Sequence, residues 1–243
     1  YNRAKPVGHW RFNEGSGTTA YDESDNNNDG TITIGGTGSQ TTIASAWTNG
    51  ATGKFGKCMS FDGTDDKVNI SDSLSLSING AITITGWLKH NMSSGGVGIL
   101  VDKTGTASAY TGWWLALDYR NNARASNTPS LEFECGDVSS YKTLTARNVF
   151  PSTNVWYHFA VTVDSSGTKT LYVNGVAKSP DNSEGSYAGA IVEKEIGIGI
   201  GASATGIVPF TGLIDDVRVY NYARTAEQIQ QDYSNGASTR LGY

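Results

Sequence analysis

The feature that most constrains this chain is a recurring alternation of apolar and polar residues with a period of two. Gly, Asn, Asp and Ser clusters interrupt it at short intervals. AITITGWLKH (81–90), NVWYHFAVTVD (154–164) and KTLYVNG (169–175) run β-branched or aromatic between such clusters, which is the signature of β-strands. Shorter runs of the same kind stand at VGHWRFN (7–13), GTITI (30–34), KCMSFDG (57–63), KVNIS (67–71), VGILVD (97–102) and GWWLALD (112–118). Four more follow at SLEFECG (130–136), KTLTAR (142–147), KEIGIGIG (194–201) and GLIDDVRVYN (212–221). About a dozen evenly spaced strands predict an all-β sandwich or barrel rather than βαβ units. The 30 glycines among 243 residues are read as turns between these strands.

One helix is expected, in ARTAEQIQQDYSNG. Thr225 and Gln228 form a capping box, Ile229 and Tyr233 sit at i and i+4, and Gly236 is read as the C-terminal stop. No interior linker shows a composition shift and no repeat of 20–50 residues is present, so residues 1–243 read as one domain. The two ends, Tyr1-Asn2-Arg3-Ala4 and Tyr233-Ser234-Asn235-Gly236-Ala237, carry Tyr, Asn and small residues in similar order. A tandem array would create that pattern, but the match is too short to carry an inference.

Charge and composition exclude several functions. With 18 Lys+Arg against 23 Asp+Glu the net charge is -5, and without a basic cluster an acidic surface repels nucleic acid. No run approaches the roughly 18 apolar residues that a membrane helix needs. His9, His90 and His158 stand far apart, with no HExxH or CxxC spacing, which argues against zinc and against an assembled triad. G-x-S-x-G and G-x-x-x-x-G-K are absent. Gly199, Gly201 and Ala204 fit a relaxed dinucleotide fingerprint, yet VPFTG follows instead of a helix. His158 reads as a core histidine, and Trp10, Trp87 and Trp156 as core aromatics. Cys58 and Cys135 are compatible with one disulfide or with two buried thiols. The opening YNRAKPVGHW lacks an apolar signal-peptide core, so a targeting segment would lie outside this chain.

Three blocks in order carry a resemblance: WRFNEGSGTTAYDESDNNNDGTI (10–32), GKFGKCMSFDGTDDKVNI (53–70) and GLIDDVRVYNYARTAEQIQQDY (212–233). Between them, NVWYHFAVTVDSSGTKTLYVNG (154–175) matches a central hairpin. Together they resemble the laminin-G-like (LamG) jelly-roll domains of the concanavalin A-like lectin/glucanase superfamily. The resemblance implies a jelly-roll sandwich of two antiparallel sheets with a short C-terminal helix. It is weak for function, because the fold hosts lectins, enzymes and adhesion modules alike.

Three constellations could carry chemistry. The loop AYDESDNNNDG (20–30) is dense in oxygen-bearing side chains, which suits a hard cation such as Ca²⁺. Asp25 to Gly30 matches the first half of an EF-hand loop, but Gly36 stands where the bidentate Glu belongs and no helices flank the loop. A solvated Asx-turn loop is the competing reading. The resemblance implies a structural Ca²⁺ held by Asp22, Asn28, the Gly30 carbonyl and Asp215. Asp25 departs there from the family's usual D-x-S-G-x-G loop.

The second constellation is aromatic. Tyr110, Trp113, Trp114, Tyr119 and Tyr141 lie on or beside the runs at 112–118 and 142–147. Trp113 and Trp114 must point to opposite sheet faces, so one is core and the other a candidate sugar platform. Trp114, Tyr119, Asn121, Arg124 and Tyr141 are the candidate ligand-binding residues, and packing is the alternative reading for each tryptophan. The third is Glu132 with Glu134, two carboxylates on one face of SLEFECG, about 6.6 Å apart along the strand. Glycosidases use such pairs, but the E-x-D-x-E patterns of glucanase relatives are missing from EFECGD. A solvated polar face explains the pair without catalysis.

The expected function is a non-catalytic, calcium-stabilised recognition module of a secreted or cell-surface protein. Its partner would be a carbohydrate or an extracellular protein, with no nucleic acid or membrane insertion, and the module would belong to a larger multidomain protein. The alternatives are a glycoside hydrolase or lyase of the same superfamily and a structural repeat in a surface adhesion array.

Overall fold

The alternating runs pair into two antiparallel sheets stacked face to face. A computed structural model describes residues 5–47, 53–91, 96–104, 111–119, 128–136, 141–180, 182–183, 191 and 196–238. In chain order the elements begin with β1 (Gly8–Trp10), β2 (Thr19–Ala20), β3 (Gly30–Thr33), helix α1 (Ile43–Ala46), β4 (Met59–Asp62) and β5 (Lys67–Ile70). They continue with β6 (Ile82–His90), β7 (Val97–Asp102), β8 (Trp113–Asp118), β9 (Ser130–Gly136), β10 (Tyr141–Ala146) and β11 (Tyr157–Val163). The last are β12 (Lys169–Val173), β13 (Val176–Lys178), β14 (Asn182–Ser183), β15 (Ile198–Ile200), β16 (Thr211–Tyr220) and helix α2 (Ala226–Ser238). Each alternating run of the sequence yields a strand. The structure adds β2, β13, β14 and α1, which are too short to show a period.

One sheet has seven strands in the order β1-β16-β6-β11-β12-β13, with β4 also paired to β16. The other has nine, in the order β14-β10-β9-β8-β7-β15-β5-β3-β2. Alternation decides which side chains meet between them. Ile84, Leu88, Phe159, Val161 and Val217 from the first sheet join Val68, Leu115, Leu117 and Phe133 from the second in one buried cluster.

The outer face of the seven-stranded sheet is covered by α2, which explains why nearly all of β6 is buried. Its inward Ile82, Ile84 and Leu88 enter the main core. On the other face Trp87 stacks on Tyr233 of α2 at 5.8 Å, while Ile229 packs on Ala160 and Tyr172. The capping box forms as expected, with Gln228 N–H donating to Thr225 Oγ1 and Thr225 N–H to Gln228 Oε1. Gly236, however, does not stop α2, which runs on to Ser238. A Cβ there would collide with the Trp87 ring, so this glycine serves close helix-to-sheet approach.

Other expectations are refined in the same way. Trp10 is fully buried in the core. Trp87 is buried beneath α2 rather than between the sheets. Trp156 is half-buried, with the Lys89 ammonium 5.4 Å from its ring centre, so it is not a core residue. Cys58 and Cys135 are both buried and are not joined by a disulfide, so of the two readings the pair of buried thiols holds.

Candidate functional site

Strand parity settles the tryptophan pair. Trp113 points inward and is 1% exposed, whereas Trp114 is half-buried on the outer face of the nine-stranded sheet. Register places Asp102, Trp114, Glu134 and Thr143 directly opposite one another across β7, β8, β9 and β10. The next row outward holds Ala116, Glu132 and Thr145. Side chains directly opposite across an antiparallel pair share a face, so this face carries an indole, three carboxylates and two threonine hydroxyls, of which Asp102, Glu132 and Thr145 are buried.

The indole is held in place. Its Nε1–H donates to Glu134 Oε1 at 2.7 Å, and Thr143 Oγ1 donates to Glu134 Oε2 at 3.0 Å. Glu134 therefore has both oxygens engaged and fixes the orientation of the ring. Sequence reasoning missed this role, although the cross-strand register would have revealed it. Glu132 is buried and accepts from Thr145 Oγ1 at 3.3 Å. Asp102 is fully buried, and burial pushes its carboxyl up to about 6, against hydrogen bonds from Thr104 and the Ala204 N–H. An aromatic face ringed by polar groups can stack a sugar ring and bind its hydroxyls.

The remaining expected platform residues divide. Tyr119 is placed in the core, 6% exposed and edge-on to His90, so it is not presented beside Trp114. Asn121 and Arg124 lie outside the described residues. Tyr141 opens β10 opposite Gly136, and its side chain lies outside the description.

The residues expected to hold calcium have the following partners among the described residues. Asp22 and Asn28 share one loop. Asp22 Oδ1 accepts from the His9 and Ser24 N–H groups, and Oδ2 from Ser24 Oγ and the Asn28 N–H. Asn28 Oδ1 accepts from the Ser73 and Ser75 hydroxyls. Gly30 begins β3, opposite Ala20 and Ile70. Asp215 lies on β16, and its Oδ2 accepts the Phe55 N–H at 2.8 Å. Asp22 and Asp215 share no hydrogen-bonding partner among the described residues. A cation at Asp22 would have to displace four protein donors, so the hydrogen bonding seen there is that of the Asx-turn reading. Asp215 has a buried Oδ1 without a partner, and burial pushes its carboxyl up to about 7.

A two-sheet antiparallel jelly roll with an aromatic and carboxylates on one sheet face is the architecture of a lectin-like sandwich. A laminin-G family model, described as the concanavalin A-like lectin/glucanases superfamily, matches residues 62–230. The chain belongs to that family, which by its own description spans binding modules and enzymes. No curated protein matches it.

Solved structures share the fold. Domain 4 of AbnA, a GH43 extracellular arabinanase from Geobacillus stearothermophilus solved in complex with arabinotriose, is 22% identical with a TM-score of 0.64. That likeness covers 93% of this chain and 97% of the domain. The binding domain of Paraclostridial Mosquitocidal Protein 1 is 14% identical over 96% of this chain and 52% of its own, with a TM-score of 0.65. The binding domain of botulinum neurotoxin serotype D is 18% identical over 96% and 51%, with a TM-score of 0.63. The chain thus spans about half the length of the toxin domains it matches.

Proposed function

We propose that this domain is a non-catalytic recognition module of a secreted or cell-surface protein, and that it binds carbohydrate on the outer face of the nine-stranded sheet. The observation that carries this reading is Trp114, half-exposed on that face and oriented by Glu134. The fold relative solved with arabinotriose supports the ligand class. A glycan array, with arabino-oligosaccharides included and run with and without calcium, tests it. Trp114→Ala is expected to weaken binding about tenfold or more. A blank array, or binding that Trp114→Ala leaves intact, rejects the reading.

Calcium stabilisation through Asp22, Asn28, Gly30 and Asp215 belongs to the same proposal and has its own test. EDTA followed by excess Ca²⁺ should shift the thermal midpoint, because a ligand that binds only the native state stabilises it. Asp22→Ala and Asp215→Ala should each abolish a shift that arises there. An unchanged midpoint retires the calcium part alone.

The second reading, a glycan-active enzyme, rests on Glu132 and Glu134 sharing one face. A reducing-sugar assay over a polysaccharide panel decides it: turnover lost in the Glu132→Gln/Glu134→Gln double variant would establish catalysis.

A further inference from the structure

We propose that Asp62, Asp65 and Asp66 form a divalent-cation site, of the hard, oxygen-preferring calcium type, at the turn between β4 and β5. One carboxylate oxygen from each residue lies within 4.8 Å of those of the other two. This cluster shares no residue with the Asp22–Asp215 set and lies apart from the Trp114 face.

Carboxylates alone would not make a site; the decisive feature is Asp66. It is 1% exposed, its Oδ2 accepts the Asp62 N–H at 3.0 Å, and its Oδ1 is buried with no hydrogen-bond partner. Asp65 repeats the arrangement. Its Oδ2 takes the Thr37 N–H and hydroxyl, and its Oδ1 is likewise buried and unpartnered. Asp62 accepts the Ser39 and Gln40 N–H groups on Oδ2 and the Thr64 N–H on Oδ1. Among the described residues no Lys, Arg or His pairs with any of the three.

Two buried oxygens without donors, in a group of three like charges, are unfavourable on both counts. A hard cation bound by these oxygens would remove both penalties, and it takes oxygen ligands at about 2.3–2.6 Å. The surrounding backbone is shaped around the carboxylates. A Cβ on Gly35 would strike Asp65 and one on Gly38 would strike Asp62, so glycine lets the 35–40 segment wrap the cluster. Asp62 also lines an open groove of about 380 Å³ together with Ser60, Lys89, Asn91 and Thr211.

The test uses the whole chain, stripped with EGTA and titrated with CaCl₂ by calorimetry and by thermal unfolding. Wild type and Asp22→Asn are both expected to bind and to gain midpoint. Asp65→Asn and Asp66→Asn should each weaken binding at least about tenfold, because affinity follows ligand charge. Absence of binding to wild type overturns the proposal, as does binding that Asp65→Asn leaves at full strength. Should Asp66→Asn fail to fold, the half-exposed Asp65 decides alone.

Discussion

His158 shows what burial does to a single titratable residue. Its ring lies against Trp87 and Tyr233, and its Nε2 meets Thr85 Oγ1 at 2.8 Å. Burial pushes its pKa down to about 3. The Asp216 charge opposes that shift, and Arg218, Arg224 and Lys54 add to it. The imidazole is therefore neutral in the fold, whereas an unfolded chain protonates it below about 6.5. Its contribution to stability is complete above pH 6.5 and shrinks as pH falls toward 3, by up to ~1.4 kcal/mol per pH unit. Asp66 and Asp102, both held up near 6 mainly by burial, act in the opposite sense, since they favour the fold as pH falls from 6 toward 4. The prediction is thus a difference: His158→Gln flattens the acid-side decline relative to wild type in urea titrations from pH 4 to 7. Glu134 offers a second residue-level contrast. Glu134→Ala leaves the Trp114 indole without its acceptor and should weaken glycan binding, while Glu134→Gln keeps an acceptor oxygen and should largely preserve it. If Glu134 were a catalytic acid, both variants would be inactive alike.

At the scale of elements, α2 closes the outer face of the seven-stranded sheet, so its contacts should be measurable as stability. Ile229 is fully buried, and Ile229→Ala is expected to cost about 2–4 kcal/mol in chemical denaturation. Thr225→Ala removes one half of the capping box, at about 1 kcal/mol. Gly236→Ala should also destabilise, and any such loss should be accompanied by a change in tryptophan fluorescence as Trp87 is displaced. Strand existence was legible in the sequence because alternation reports a half-buried ribbon directly. Strand order was not, since pairing such as Gly8 opposite Val219 leaves no local trace. Gly236 was misread for a related reason: a glycine near a helix end signals a stop unless one knows that Trp87 lies beneath it. The parity of Trp113 and Trp114 was legible, but which of them faced outward was decided only by pairing with β9.

For the whole molecule, the candidate site is legible only in part. Composition marked the acid-rich loop at 20–30 but could not show that Asp22 accepts from the His9, Ser24 and Asn28 N–H groups and the Ser24 hydroxyl. The Asp62–Asp66 turn gave no comparable signal, because its distinguishing property is burial imposed by the 35–40 segment. Asp215 was matched to the loop at Asp22 by resemblance alone, and its carboxylate accepts the Phe55 N–H, beside a register irregularity of β16 that no sequence pattern announces. Long-range pairing of this kind also predicts slow folding, on the order of milliseconds to seconds for so β-rich a topology, which stopped-flow refolding would check.

The position of β16 carries a consequence for biosynthesis. Among the described strands it is the last in chain order, yet it has β1 and β4 along one side and β6 along the other. A nascent chain emerging from a ribosome holds β1, β4 and β6 without the strand that joins them until Tyr220 is free. The seven-stranded sheet must therefore close after translation of nearly the whole domain. Until then, the unpaired edges that β16 will cover are open to mispairing.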